Sequence, residues 1–165
     1  MTQTTRKIRP LSDIVALLSP ERAAGRTVAL ANGLFDLLHV GHVRYLEASK
    51  QEADVLVVGI NSDLSARALK GPGRPILPEA ERAEIVAALA CVNWVFVFDE
   101  TDVAAALRTL RPDVHCKGTD YTRDSVPERE TVLAVGGRIA IVGDPKSHAT
   151  RDLIREIARR FRDPA

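Results

Sequence analysis

His39 and His42 stand three residues apart in the run Asn32-Gly33-Leu34-Phe35-Asp36-Leu37-Leu38-His39-Val40-Gly41-His42. If a helix opens there, residues at that spacing share a face and both imidazoles meet one space. The first N–H groups of such a helix have no partner within it and point the same way, which favours an anion. Gly33 and Gly41 remove side chains where a ligand must come close to the backbone. Two imidazoles and a helix N-terminus aimed at one point suit a phosphate. The competing reading of a lone histidine at a helix start is a cap or a solvated residue. Zinc is the competing chemistry for the pair, but it needs three or four ligands and a helical pair is usually spaced i, i+4. Only His115 and His148 remain, and nothing in the sequence places either nearby, so no metal site is expected. Cys91 and Cys116 are far apart and form no C-x-x-C pair, so they read as buried free thiols.

These residues need a scaffold that brings loop ends together. Five β-type runs, 28–31, 55–60, 94–98, 114–116 and 138–142, are mostly continuously apolar, as in strands covered on both faces. Helical patterns lie between them. Residues 11–24 carry Ile14, Val15, Leu17 and Leu18 on one side. Residues 41–50 follow the first strand. Residues 79–90 start behind Pro78 and bury Ile85, Val86 and Leu89. Residues 101–110 pack Val103 and Leu107, and 151–161 pack Leu153, Ile154, Ile157 and Phe161. Alternation of strand and helix predicts an α/β domain with right-handed crossovers, whose ligands bind beyond the carboxyl ends of the strands. One domain is expected over 1–165, with a core of about 25–160 and an N-terminal helix at 11–24. The Gly/Pro-rich stretch 70–78, KGPGRPILP, reads as a loop able to close over a ligand.

The 165 residues are 45% apolar and 27% charged, which is globular composition. Lys and Arg total 23 against 22 Asp and Glu, a net charge of +1. That balance argues against nucleic acid as a partner, which needs a basic patch. Arg155, Arg159, Arg160 and Arg162 read as a solvated helix face. The first ten residues lack the apolar core of a signal peptide, and no run approaches the ~18 apolar residues of a membrane span. A soluble cytoplasmic protein without membrane contact is expected.

G-x-F-D at Gly33–Asp36 followed by H-x-G-H at His39–His42 resembles the cytidylyltransferase-like nucleotidyltransferases, whose fold is a Rossmann-like α/β sheet. Further stretches narrow the likeness: Asn61-Ser62-Asp63, Leu69-Lys70-Gly71, Arg74-Pro75, Glu81-Arg82, Val92-Asn93-Trp94-Val95, Arg111-Pro112-Asp113 and Lys117-Gly118-Thr119-Asp120-Tyr121. Together, over roughly 25–160, they are similar to the adenylyltransferase domain of the bifunctional heptose-phosphate kinase/adenylyltransferases. No sugar-kinase domain is present, so the free-standing type is expected. The resemblance implies a doubly wound five-stranded parallel sheet of order 3-2-1-4-5 and a homodimer. It implies adenylyl transfer from ATP, carried with Mg²⁺, to D-glycero-β-D-manno-heptose 1-phosphate.

Site roles follow from the same resemblance. His39, His42 and Lys70 contact the transferring and leaving phosphates. Asn32, Gly33, Leu34, Phe35, Gly41, Arg82, Lys117, Gly118, Asp120 and Thr150 hold the nucleotide. Asp36, Asn61, Asp63 and Tyr121 hold the acceptor. Plainer roles compete at several positions: a solvated loop lysine for Lys70, a surface ion pair with Glu79 or Glu81 for Arg82, and support of the active-site turn for Asp36. In Ser147-His148-Ala149-Thr150-Arg151, Ala149 and Arg151 replace hydroxyl residues of the family's Ser/Thr motif. Thr150 is expected to cap the last helix, with Arg151 supplying charge. Two other functions fit less well: a cytidylyltransferase acting on glycerol 3-phosphate or another small phosphate ester, and a nucleotide-binding regulatory module without turnover.

Overall fold

The computed structural model describes residues 4–145 and 149–161. Five strands, β1 (Val28–Gly33), β2 (Val55–Asn61), β3 (Trp94–Phe98), β4 (Val114–Lys117) and β5 (Arg138–Ile141), form one sheet. All are parallel, in the order β3-β2-β1-β4-β5, as expected. Among the described residues seven α-helices accompany them, α1 (Leu11–Ala23) before the first strand, then α2 (Val40–Gln51), α3 (Asp63–Lys70), α4 (Glu79–Ala87), α5 (Ala104–Leu110), α6 (Arg129–Ala134) and α7 (Thr150–Arg160).

Strand alternation sends neighbouring side chains to opposite faces and builds two cores. On one face Val28, Leu30, Val55, Val57, Phe96 and Phe98 meet Ile14 and Leu18 of α1, Leu107 of α5 and Val132 of α6. On the other, Ala29, Ala31, Leu56, Val58 and Cys116 meet Leu46 of α2 and Ala83, Val86 and Ala87 of α4. In β4 the alternation turns Val114 and Cys116 to the α2 side. His115 and Lys117 therefore face the α6 side. Order reverses between β1 and β4, so the carboxyl ends of these neighbours open a crevice.

Several expected boundaries move. β1, β2 and β4 run on through Asn32–Gly33, Asn61 and Lys117, because the ladder continues: Gly33 pairs with Ile60, Asn61 with Phe98, and Lys117 with Ile141. Hydropathy ends a strand at its first polar residue, whereas backbone pairing does not. α3 and α6 lay hidden in the sequence as short stretches of mixed polarity, although Ser62 marks the start of α3 by accepting from the Ser65 N–H at 3.2 Å. α4 stops at Ala87 and turns Ile85 outward, burying Arg82, Ala83, Val86 and Ala87. Val15 and Leu17 likewise lie at the surface, leaving Ile14 and Leu18 to anchor α1. α5 starts at Ala104, after Asp102 has accepted its N–H. The stripe expected to pack α7 is open instead: Leu153, Ile157 and Phe161 are 39%, 52% and 80% exposed. No helix of the described residues is long and apolar enough to cross a membrane.

Candidate functional site

A pocket of about 900 Å³ lies over the carboxyl ends of β1 and β4. β1 passes into the turn Leu34–His39, where Phe35 takes a left-handed conformation with φ 48° and tucks its ring inward, 4% exposed. A Cβ on Gly33 would stand 3.1 Å from that ring, so any side chain there would press on Phe35. His39 is the N-cap of α2 and His42 its third residue. The His39 N–H donates to His42 Nδ1 at 3.4 Å, and the two rings stack with centroids 3.9 Å apart. With Nδ1 accepting, a neutral His42 carries its proton on Nε2 and remains a donor. The pair therefore helps form the helix start, and both residues line the pocket together with Asn32, Gly33, Leu34, Phe35 and Gly41.

The β2 side departs from several expectations. Arg82 is fully buried and does not line the pocket. Its guanidinium donates to the carbonyls of Leu77, Leu34 and Asn61 at 2.9, 2.6 and 2.9 Å and to the Asp63 carboxylate at 2.7 Å. It thus ties the β1 turn, the end of β2 and the loop before α4 together, with neither Glu79 nor Glu81 as its partner. Asp63 is turned to Arg82 and is absent from the pocket wall as well. Asn61 does reach the wall, while its amide donates to Ser65 Oγ at 2.9 Å. Asp36, 1% exposed, accepts from Arg74 Nε at 2.5 Å and from the N–H groups of Ile76 and Leu77 at 2.7 and 3.0 Å. Its carboxylate holds the 71–78 loop in place, the supporting role that competed with acceptor contact. Lys70 is the last residue of α3 rather than part of the loop, and it lines the pocket beside Arg74.

At the end of β4, Lys117 Nζ lies 3.2 Å from Asn32 Oδ1, 3.3 and 3.1 Å from the two Glu128 oxygens, and 5.4 Å from the centre of the Tyr121 ring. Gly118, Asp120 and Tyr121 complete this wall. Glu128 was not singled out from the sequence. It precedes α6, a helix too short to announce itself, and its proximity to Lys117 arises only from the fold. Burial pushes the Glu128 carboxyl up, but the neighbouring His115 and Lys117 outweigh that and hold it down to about 2. Burial pushes the His115 imidazole down, so it stays neutral. Tyr45 was also missed, although it lies three residues after His42 on the same helical face. Its hydroxyl donates to the Cys116 carbonyl at 2.8 Å, joining α2 to β4. Burial pushes the Cys116 thiol up to about 11, so it is an inert core group.

The third wall comes from the β5–α7 connection. Ala149, not Thr150, is the N-cap of α7, and no side chain caps it, because alanine offers no acceptor. Thr150 and Arg151 nonetheless line the pocket. Ser147 and His148 lie outside the described residues. The described wall carries four basic side chains, Lys70, Arg74, Lys117 and Arg151, against five acidic ones, Asp36, Asp102, Asp120, Glu128 and Asp144. No three His, Cys, Asp or Glu side chains among the described residues are grouped to hold a metal ion.

Comparison with known proteins agrees with this geometry. The family model described as cytidylyltransferase-like matches residues 30–158. The bifunctional protein HldE of Syntrophotalea carbinolica is 45% identical over 155 residues, covering 94% of this chain and 32% of that protein. HldE of Methylobacillus flagellatus is 41% identical over 152 residues, covering 92% and 31%. The chain thus spans about a third of the length of these relatives. Among solved structures, the lipopolysaccharide core biosynthesis protein of Thermoplasma volcanium superposes with a TM-score of 0.63 at 27% identity, covering 74% of this chain and all of that one. Pantothenate synthetase of Thermus thermophilus shares the fold alone, with a TM-score of 0.59 at 17% identity over 87% of this chain and 63% of that one. With its H-x-G-H pair at the mouth of the β1–β4 crevice and a family match over most of its length, the chain belongs to the cytidylyltransferase-like family and is a nucleotidyltransferase.

Proposed function

We propose that this chain transfers AMP from ATP to D-glycero-β-D-manno-heptose 1-phosphate, giving ADP-heptose and pyrophosphate. The observation that carries the reading is the stacked His39–His42 pair at the start of α2, opening into a pocket large enough for two phosphorylated ligands. The heptose acceptor is supported by about 45% identity to HldE proteins over nearly the whole chain.

The acceptor phosphate oxygen attacks the α-phosphorus in line, a P–O bond forms, and the bond to the departing pyrophosphate breaks. The nucleophile is already anionic near neutral pH, so positioning and charge neutralisation carry the reaction and no general base is required. His42 Nε2–H and the first N–H groups of α2 donate to phosphate oxygens, while Lys70 and Arg74, which line the same pocket, add positive charge. Four basic against five acidic wall residues cannot neutralise a triphosphate, which supports ATP arriving as its Mg²⁺ complex. The homodimer implied by the resemblance belongs to the same proposal, and the open Leu153–Ile157–Phe161 stripe offers apolar surface to a second copy.

The test is pyrophosphate release with ATP, CTP, GTP and UTP, each crossed with heptose 1-phosphate, other sugar 1-phosphates and glycerol 3-phosphate. ATP with heptose 1-phosphate is expected to be fastest, lost with EDTA and restored by Mg²⁺. Fastest release with CTP and glycerol 3-phosphate would replace this reading with the cytidylyltransferase one, which the family description favours.

A further inference from the structure

The pocket is not uniform in charge. Where the start of α2 lines it, Lys70 stands on the wall, while Arg74 beside it is paired with Asp36. At the β4 end the cation is Lys117, and its surroundings are built to cancel it. Its side chain is only 9% exposed, and both oxygens of Glu128, itself 5% exposed, lie within 3.3 Å. Asn32 Oδ1 takes a further ammonium hydrogen, and the Tyr121 ring covers one side. Behind the carboxylate, His115 Nε2 stands 3.8 Å from Glu128 Oε2, buried and without a hydrogen bond among the described residues. Lys117 and Glu128 thus form a tightly held pair whose net charge is zero, at the floor of a site where phosphates are handled a few residues away.

A lysine meant for a phosphate is poorly served by a buried carboxylate on the same ammonium. The carboxylate competes for its hydrogens and repels a second anion at short range, where burial limits screening. A neutral hydroxyl meets no such penalty. Beside a fixed ammonium and an amide it finds donors and acceptors together, the arrangement that selects a hydroxyl-bearing group.

We propose that Glu128 determines the specificity of the β4 end of the pocket: by cancelling the charge of Lys117 it admits a neutral, hydroxyl-bearing part of the bound substrates and rejects a second phosphate. This deepens the reading of the pocket as a site for a nucleotide and a singly phosphorylated sugar, and rests on it. Glu128 acts through Lys117 and is a positioning residue.

Calorimetric titration with inorganic phosphate tests the charge argument without requiring turnover. Glu128→Gln keeps shape and leaves Lys117 uncancelled, so phosphate is expected to bind about tenfold more tightly than to the unmodified protein. Glu128→Gln combined with Lys117→Met should lose that gain. Equal phosphate affinity in Glu128→Gln and the unmodified protein overturns the proposal, and so does a gain that survives in the double variant. Two sources offer the hydroxyls, the nucleotide ribose and the carbon chain of the sugar. They are separated by titrating Glu128→Gln with ATP, 2′-deoxy-ATP and glucose 1-phosphate. Loss of preference for ATP over 2′-deoxy-ATP assigns the pair to the ribose, and weakened glucose 1-phosphate binding assigns it to the sugar. No change in either overturns the proposal. If Glu128→Gln fails to fold, Lys117→Met alone carries the test. It leaves Glu128 uncancelled and should weaken phosphate about tenfold, and unchanged affinity again overturns the proposal. Absence of sugar-phosphate turnover in the unmodified protein would remove the proposed reaction while leaving the phosphate comparison readable.

Discussion

His39 and His42 each do two things, and substitution can separate them. They shape the first turn of α2 through the His39 N–H to His42 Nδ1 contact and ring stacking, and they face the space where phosphates are proposed to react. Asparagine caps a helix well but cannot match the reach of an imidazole. His39→Asn and His42→Asn are expected to melt close to the unmodified protein while turnover falls by about 10²-fold, as when one preorganised donor is lost. Melting curves and steady-state rates on the same preparations check this. A variant that loses stability but keeps its rate per folded molecule would make the pair structural. Arg82 should behave in the opposite way. Its removal in Arg82→Met strands the Asp63 carboxylate and the Leu34, Asn61 and Leu77 carbonyls. That is expected to cost about 3–5 kcal/mol of stability. Denaturant unfolding reads it, and a stable variant with weakened ATP binding would return Arg82 to the nucleotide.

At the scale of elements, the 71–78 loop and the β1 turn are one device, joined by the Asp36 carboxylate as well as by the Arg82 guanidinium. Asp36 gathers the Arg74 guanidinium and two loop N–H groups. Arg74 is thereby held at the pocket wall, which Lys70 also lines from the end of α3. Asp36→Ala removes all three bonds, so amide exchange at Ile76 and Leu77 should quicken by about tenfold or more, the equivalent of one lost buried hydrogen bond. Unchanged exchange would show that Asp36 does not hold the loop. The same segment in the unmodified protein should exchange more slowly when a non-hydrolysable ATP analogue is added, if it closes on the ligand.

At the scale of the whole molecule, stability couples to pH through Glu128. Its carboxyl is held down to about 2 against an ordinary 4.5, with burial opposed by His115 and Lys117. A depressed acid binds its proton more readily in the unfolded chain, so its contribution to stability is full above about pH 4.5 and is lost as pH falls toward 2. Glu128 sits where α6 begins and Lys117 where β4 ends, so acid should loosen the α6 side of the sheet. Melting curves across this range should show a steep acid limb that Glu128→Gln flattens. An equally steep limb in that variant would assign the acid sensitivity to other carboxylates.

The resemblance that the sequence motifs carry supplied the sheet order 3-2-1-4-5; the sequence by itself determined five buried strands, the glycine at the end of the first and the spacing of the H-x-G-H pair. Those follow from local signals: apolar runs that can only be buried strands, glycines at a strand end, and histidines at a fixed helical spacing. It also placed Lys117, Asp120 and Tyr121 at the end of the fourth strand and Lys70 on the glycine-rich loop; all four line the pocket, Lys70 from the end of α3. What a charged side chain does once there was decided by tertiary structure. Arg82 and Lys117 look alike as isolated cations, yet one is consumed by three carbonyls and Asp63 and the other is paired with Glu128, eleven residues further along the chain. Asp63, expected at the acceptor, is turned to Arg82 and is absent from the pocket wall, whereas Asp36 lines the wall while its carboxylate holds Arg74. The open stripe of α7 has the same cause, because an amphipathic pattern states that a face is apolar but not whether anything covers it. Spacing along a chain fixes which residues share a face, but the partner across that face comes from a distant segment, and only folding brings the two together.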